Sequence, residues 1–223
     1  MSILTKPAFV VALLTLFVVA AIIGGPSNGT EVDIMRALAA FRTGHPRLTG
    51  LVAGVTTLGS VYATLGVTCA ASLWLLFRRS SGQALLLGLT VLLERVLVDA
   101  FKDWFGRPRP QFDLHWLPHS LAFPSGHSAN SMTAFLATSL ILAAPGHRGP
   151  WVIGALVLTF VVGLSRVYLG VHWPSDVIGG WALGILAVGA ALAVGQRSGA
   201  LRFEPQHQIV GRHVPALDED KTA

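Results

Sequence analysis

Apolar residues gather into six long runs along the chain, over roughly 7–25, 51–77, 83–105, 127–144, 151–170 and 174–195. Each is close to the ~20 residues that a membrane-crossing helix needs. The fourth opens on polar residues and is the least apolar of the six. Residues 26–50 have a mixed pattern. Ile34, Met35, Leu38 and Phe41 share one side of a short helix, Asp33 and Arg36 turn toward water, and Arg42 falls at the apolar edge, where its stem can snorkel. That pattern predicts an amphipathic helix on the membrane surface, with a plain loop as the alternative. From Gln196 onward Pro, His and acidic residues mix, which predicts a flexible, soluble tail.

The expected fold class is therefore all-α: a polytopic membrane protein with a bundle of six transmembrane helices and a short interfacial helix after the first. Residues 1–196 form the expected membrane domain and 197–223 a cytoplasmic tail. Lys6 ahead of the stretch Ala8 to Ile23 has the look of a signal peptide. The stretch is longer than a usual signal core and no small-x-small cleavage site follows, so a retained helix is expected. No internal repeat or low-complexity tract appears.

Composition strengthens the membrane reading. Hydrophobic residues make up 52% of the chain, charged residues only 12%, and mean hydropathy is +0.62. A soluble domain carries roughly 25% charged residues. The net charge of +5 could suit nucleic acid, but the Lys and Arg are dispersed, mostly in short gaps between apolar runs. That dispersal fits membrane topology and no nucleic-acid partner is expected. Cys69, the single cysteine, excludes an intrachain disulfide and a thiolate metal cluster; it reads as a small buried side chain.

Loop charge sets the expected orientation. With a cytoplasmic N-terminus, the inner side holds Lys6, Arg78, Arg79, Arg148, Arg197, Arg202, Arg212 and Lys221. The outer side holds Arg36, Arg42 and Arg47, beside cations that belong to polar motifs. The bias favours both termini inside.

Three polar clusters interrupt the apolar sequence, and polar or ionisable groups in membranes mark function by default. The first runs from Lys102 through Arg107 and Arg109 to Pro110 at the end of the third run. Pro108 and Pro110 stop the helix there. Lysine brings a point charge and arginine a planar fork suited to phosphate oxygens; the alternative is a basic anchor at the membrane edge. The second is Pro124-Ser125-Gly126-His127, opening the fourth run. Ser125 suits an N-cap, Gly126 lets an anion approach the backbone, and amides at a helix start bind phosphate. His127 can give or take a proton near neutral pH; the alternative is a simple cap with an incidental histidine. The third joins Ser165-Arg166 to His172, Pro174 and Asp176. Pro174 suits the first turn of a helix, and Asp176 would be favoured near its N-terminus. A carboxylate on one imidazole nitrogen would fix the tautomer and free the other to attack; the alternative is a structural His–Asp contact in a turn. Counting six helices from a cytoplasmic N-terminus brings all three clusters to one outer face.

These motifs resemble the type 2 phosphatidic acid phosphatase superfamily, whose pattern is Lys-x6-Arg-Pro, Pro-Ser-Gly-His and Ser-Arg-x5-His-x3-Asp. Here it reads Lys102…Arg109-Pro110, Pro124-Ser125-Gly126-His127 and Ser165-Arg166…His172…Asp176, matching in order. The resemblance implies that His172 is a nucleophile forming a phosphohistidine, that Asp176 orients it, and that His127 protonates the leaving oxygen and later activates water. It implies that Lys102, Arg109, Ser125, Gly126 and Arg166 hold phosphoryl oxygens, with Arg107, outside the strict pattern, as a weaker contact. It implies no cofactor and no metal. The expected substrate is a lipid phosphate or pyrophosphate: phosphatidic acid, phosphatidylglycerophosphate or undecaprenyl pyrophosphate. The expected setting is a bacterial plasma membrane, with the site on the extracytoplasmic face.

Two other outcomes stay open at this point. One is a lipid-linked phosphotransferase using the same phosphohistidine. The other is a non-enzymatic anion-binding membrane protein, which would need the cations but not the His172–Asp176 pair. The superfamily's soluble haloperoxidases are disfavoured by six apolar runs. Arg95 and Asp99 are spaced to pair on a helix, and Glu94 joins them in the third run. Asp113, His115 and His119 read as loop groups, and Trp104, Trp116, Trp151, Trp173 and Trp181 as interfacial anchors.

Overall fold

The computed structural model describes residues 2–112 and 120–201. Asp113, His115, Trp116 and His119 lie outside the described residues, as do Arg202, Arg212, Lys221 and all of the expected tail beyond Leu201. Every regular element among the described residues is helical. The α-helices are α1 (Pro7–Ile23), α2 (Gly29–Gly44), α3 (Pro46–Thr56), α4 (Val61–Phe77), α5 (Ser81–Phe105), α6 (Gly126–Leu142), α7 (Arg148–Tyr168) and α8 (Pro174–Arg197).

Local chemistry sets the ends. Pro7, Pro46 and Pro174 open α1, α3 and α8, where a missing N–H costs nothing. Asn28 caps α2 by accepting from Glu31 N at 3.2 Å, and Ser60 caps α4 by accepting from Ala63 N at 3.2 Å. Gly106 ends α5 in the left-handed region, φ 60°, and the prolines that follow prevent the helix from resuming.

The run expected as one helix over 51–77 is two helices. A short 3-10 turn at Thr57–Gly59 separates α3 from α4, and the two axes differ by 44°. Gly59 lies at the bend because a β-carbon there would meet the Val162 side chain and, at 3.1 Å, the His127 carbonyl. The bend thus lets the backbone approach the start of α6.

Packing centres on α6, which contacts α4, α5, α7 and α8. That enclosure explains its weak hydropathy. Ser128, Asn130, Ser131, Thr133 and Ser139 are buried against protein, so α6 has no need of a lipid-facing apolar surface. Helix α1 packs along α8, and α3 along α7. The outer helices are apolar toward the outside: Leu85, Leu93, Val96, Ile153 and Val157 are all exposed. Such an apolar exterior is suited to acyl chains rather than water.

By length and composition, α7 and α8 can each cross a membrane, and α3 with α4 passes as one bent span. Helix α1 is apolar but has 17 residues, and α5 carries Glu94, Arg95, Asp99, Lys102 and Asp103. Arg95 and Asp99 pair at 3.2 Å as their spacing predicts. Cys69, expected as a buried side chain, is exposed on α4.

A helix, α2, stands where the surface helix was expected, but its buried side differs from the predicted one. Glu31, Met35 and Arg42 are buried, while Ile34 and Phe41 are exposed. Asp33 and Arg36 pair in the open as expected. Arg42 does not snorkel; it donates to the Tyr168 carbonyl at the end of α7. At the other end of the chain, packing continues past the expected boundary at 196: Leu201 is buried in the cluster that includes Leu87 and Leu192.

Close helix contact is concentrated where α8 crosses α6. A β-carbon on Gly180 would sit 2.6 Å from the Ser125 carbonyl and 2.9 Å from Ser128 Cβ, and Gly184 faces the Ala129 carbonyl at 2.9 Å. Small residues four apart let two backbones meet. Gly180→Ala is therefore expected to destabilise the protein by roughly 1–3 kcal/mol, because the neighbouring atom is backbone and cannot rotate away. A thermal unfolding midpoint in detergent, compared with that of wild type, checks this.

Candidate active site

The three motifs converge where α5, α7 and the first turns of α6 and α8 meet. Pro174 begins α8, and Asp176 closes its first turn by accepting from Trp173 N at 2.8 Å. The same carboxylate oxygen faces His172 Nδ1 at 3.3 Å, and both side chains are fully enclosed. Ser125 N donates to the Asp176 carbonyl at 2.9 Å, which fastens the second motif to the third.

Arg109 reaches across from the first motif. Its Nη1 lies 3.0 Å from His172 Nε2 and donates to the Val171 carbonyl at 2.6 Å; its Nε donates to the Ser120 carbonyl at 2.6 Å. A guanidinium can only donate, so His172 Nε2 is the acceptor nitrogen and Nδ1 carries the hydrogen facing Asp176. Burial, reinforced by the charges of Arg109, Arg166 and Lys102 and by His127, pushes the His172 imidazole well below its ordinary range. The neutral ring therefore persists as pH falls through the usual histidine value. Burial also lowers Arg109, to about 10, with Asp176 acting in the opposite sense. It remains a cation at neutral pH.

Lys102 comes from the last turn of α5 and donates to the Leu121 carbonyl at 2.6 Å, one residue from the Arg109 partner Ser120. Arg166, from the last turn of α7, donates from Nη1 to Thr56 Oγ1 at 3.0 Å, while its buried Nε has no partner. Half-buried His127 stands in the first turn of α6, within the electrostatic reach of Arg166, Arg109 and Lys102. Ser125 caps α6 and accepts from Ser128 Oγ at 3.0 Å. The amides of Gly126 and His127 belong to the opening turn of α6, where N–H groups have no acceptor within the helix. At Gly126 the protein itself leaves room for a side chain: a β-carbon would meet Val98 Cγ1 at 3.6 Å, an ordinary contact.

Arg107 departs from the sequence expectation. Rather than standing with the expected phosphate-binding residues, its Nη1 donates to Asp176 Oδ1 at 2.7 Å and to Ser175 Oγ at 2.9 Å. Its Nη2 donates to the carbonyls of Ala20 at 2.9 Å and Ala21 at 2.6 Å, and its guanidinium lies 4.5 Å from the Phe123 ring centroid. The Nη donors are taken up in a buried ion pair and in carbonyls at the end of α1, so Arg107 acts as a structural tie. Trp173 likewise differs from an interfacial anchor. It is buried and donates from Nε1 to the Pro108 carbonyl at 2.9 Å, joining the first and third motifs. Trp181 packs on Phe160, whereas Trp104 and Trp151 are exposed as anchors would be.

Sequence reasoning missed Glu31, Ser175 and Thr56. Glu31 stands in the first turn of α2, where an acidic residue is unremarkable. Nothing in its local pattern signals a partner near residue 175. Thr56 and Ser175 are small hydroxyls whose roles depend on arginines distant in sequence.

The geometry sets the cations Lys102, Arg109 and Arg166 within electrostatic reach of a buried imidazole–carboxylate pair. Comparison with known proteins identifies the family. The family model of the PAP2 superfamily, the type 2 phosphatidic acid phosphatases, matches residues 83–200. A phosphatidylglycerophosphatase B of Bacillus subtilis is 34% identical over 179 residues, covering 78% of this chain and 87% of its own length. An undecaprenyl-diphosphatase of Sulfolobus acidocaldarius is 32% identical over 183 residues, covering 77% of this chain and 84% of its own length. Among solved structures, a transmembrane PAP2-type phosphatidylglycerolphosphate phosphatase from Bacillus subtilis superposes with a TM-score of 0.77 at 30% identity, over 84% of this chain and 96% of that one.

Proposed function

The chain belongs to the PAP2 superfamily and is a membrane lipid phosphatase; on that premise we propose that it acts through a phosphohistidine on His172 at the extracytoplasmic face of the membrane. The observation that carries the mechanism is the orientation of His172. Nδ1 faces Asp176 Oδ2 and Nε2 faces Arg109 Nη1 at 3.0 Å, so the lone pair of Nε2 points to the cations that would hold a phosphoryl group.

The steps follow from these positions. Lys102, Arg109 and Arg166, with Ser125 and the opening amides of α6 at Gly126, hold the non-bridging oxygens. In phosphoryl transfer, positioning and charge stabilisation supply most of the catalysis. Nε2 of His172 attacks phosphorus, an N–P bond forms, and the bond to the lipid oxygen breaks. His127 gives that oxygen its proton. The neutral His127 then takes a proton from water, whose oxygen attacks phosphorus; the N–P bond breaks, inorganic phosphate leaves and His172 is regenerated. Asp176 holds the Nδ1 proton and stabilises the charge that the ring gains in the first step.

The membrane arrangement we propose is six spans with both termini cytoplasmic. They are α1, α3 with α4, α5, α6, α7 and α8, with α2 on the outer surface. The loop charges and the convergence of the motifs at one end of the bundle support it. The substrate we propose is a lipid phosphomonoester or diphosphate. Likeness to the Bacillus enzyme favours phosphatidylglycerophosphate, ahead of phosphatidic acid and undecaprenyl pyrophosphate. Purified protein given each of the three in mixed micelles tests this: phosphate release with the highest kcat/KM on phosphatidylglycerophosphate is expected. A preference for undecaprenyl pyrophosphate would reassign the substrate, and release from none would sink the reading.

No step calls for a metal ion. Among the described residues, no group of three His, Cys, Asp or Glu side chains gathers as a metal site. Activity is expected to be unchanged within about twofold after incubation with excess EDTA, since lysine and arginine already supply the countercharge. Loss of activity restored by added Mg²⁺ would refute a metal-free mechanism.

A further inference from the structure

A buried carboxylate outside the three motifs is wired to the catalytic pair. Glu31, in the first turn of α2, is buried, and three donors converge on it. Ser175 N donates to Oε1 at 2.7 Å, Gly25 N to Oε2 at 2.7 Å, and Ser175 Oγ to Oε2 at 3.1 Å. Ser175 Oγ in turn accepts from Arg107 Nη1 at 2.9 Å, and the same Nη1 donates to Asp176 Oδ1 at 2.7 Å. A chain of direct contacts therefore runs from Glu31 through Ser175 and Arg107 to Asp176, and on to His172 Nδ1 at 3.3 Å. Space at this junction is tight: a β-carbon on Gly24 would overlap the Ser175 side chain.

We propose that Glu31 is a positioning residue for the catalytic pair, and that through it the surface helix α2 forms part of the catalytic machinery. The inference rests on the role given above to His172 and Asp176. Three features carry it. First, the Ser175 hydroxyl has one hydrogen. Donating it to Glu31 leaves the lone pairs free for Arg107, so Glu31 sets the direction of that contact. Second, Arg107 is buried between two acids, Asp176 directly and Glu31 through Ser175, and a buried cation needs such compensation. Without Glu31, Arg107 would bear on Asp176 alone and draw its carboxylate from the imidazole. Third, the residues that complete this network from the N-terminal side, Ala20, Ala21, Gly25 and Glu31, all precede the 83–200 region that the family pattern covers.

Glu31→Gln tests the proposal with little change in shape. An amide has one accepting oxygen, so part of this donor set must face an NH₂ group instead. The variant is expected to lower kcat by about 10–100-fold, the scale on which small misplacements of reacting groups act. KM should stay within about threefold, because Lys102, Arg109 and Arg166 are untouched and ground-state binding is then preserved. Inhibition by orthovanadate, which mimics the phosphoryl transition state, should weaken in step with kcat, whereas inhibition by inorganic phosphate should not. Ser175→Ala should reproduce much of the loss, and the double variant should lose less than the product of the two single effects. Asp33→Asn, on the exposed side of the same helix, is the control and should leave the rate unchanged.

Wild-type kcat in Glu31→Gln would overturn the proposal. So would a rise in KM at constant kcat, or a strictly multiplicative double variant. If Glu31→Gln does not yield folded protein, Ser175→Ala decides alone: a wild-type rate overturns the proposal and a kcat-specific loss supports it. His172→Ala in the same assay separates the two levels. An active His172→Ala sinks the mechanism beneath; a dead His172→Ala with a wild-type Glu31→Gln sinks only the role of Glu31.

Discussion

Replacing His172 with alanine is expected to lower phosphate release from a lipid phosphate by roughly 10⁴-fold or more, as loss of a nucleophile does in enzymes that work through a covalent intermediate. The substitution removes Nε2, the atom facing Arg109 at 3.0 Å, and leaves the cations themselves unchanged. Binding should therefore survive: Lys102, Arg109 and Arg166 keep their carbonyl and hydroxyl partners in the peptide frame. The fold should survive as well. Asp176 keeps Arg107 and Trp173 N, so no buried charge is stranded. Two measurements check the expectation. Phosphate release reports the rate, and acid-labile radiolabel trapped on the protein from a labelled substrate reports the intermediate. Wild-type enzyme should trap label and His172→Ala should not. Full activity in the variant would remove His172 from the nucleophile's role.

Asp176→Asn is expected to affect both rate and stability, which sets it apart from His172→Ala. Asp176 receives Arg107 Nη1 on one oxygen and Trp173 N on the other, with His172 Nδ1 beside the latter. An asparagine must turn its NH₂ group toward one side. Facing His172, it favours the wrong tautomer, and the rate should fall by about 10³–10⁴-fold. Facing Arg107, it leaves a buried guanidinium without its direct counter-charge. Breaking one partner of a buried pair costs about 3–5 kcal/mol, and the Ala20 and Ala21 carbonyls that still hold Nη2 make the lower end the expected value. Rate and unfolding midpoint measured on the same preparation check both parts. A variant with wild-type stability would show that the Arg107–Asp176 pair does not hold this site together.

Helix positions were largely legible in the sequence because burial in lipid or in protein both select long apolar runs. The end of α5 and the start of α8 were legible too, since Pro108, Pro110 and Pro174 act on the backbone locally. The bend at Thr57–Gly59 was not. Hydropathy is continuous through it, and the cause is the approach of Gly59 to His127, a residue far along the chain. The polar character of α6 misleads for a related reason. Hydropathy assumes that a span faces lipid, and α6 faces other helices on its sides.

Within the site, residue spacing along the chain was enough to indicate the kind of chemistry. The spacing of Lys102 to Arg109, of Ser125 to His127 and of Arg166 to Asp176 places cations, a helix start and an imidazole–carboxylate pair at helix ends, and local helical geometry is enough to do so. How the cations divide depends on helix packing. Arg107 and Arg109 are two residues apart and chemically alike, yet one is spent on Asp176 and the end of α1 while the other faces His172. Helix packing also decides that Glu31, on a helix read as surface, is buried against Ser175. The physical reason is one of range. Helix periodicity and capping act over a few residues, whereas a buried charge is stabilised by whichever partner the packed bundle brings within about 3 Å, at any separation along the chain.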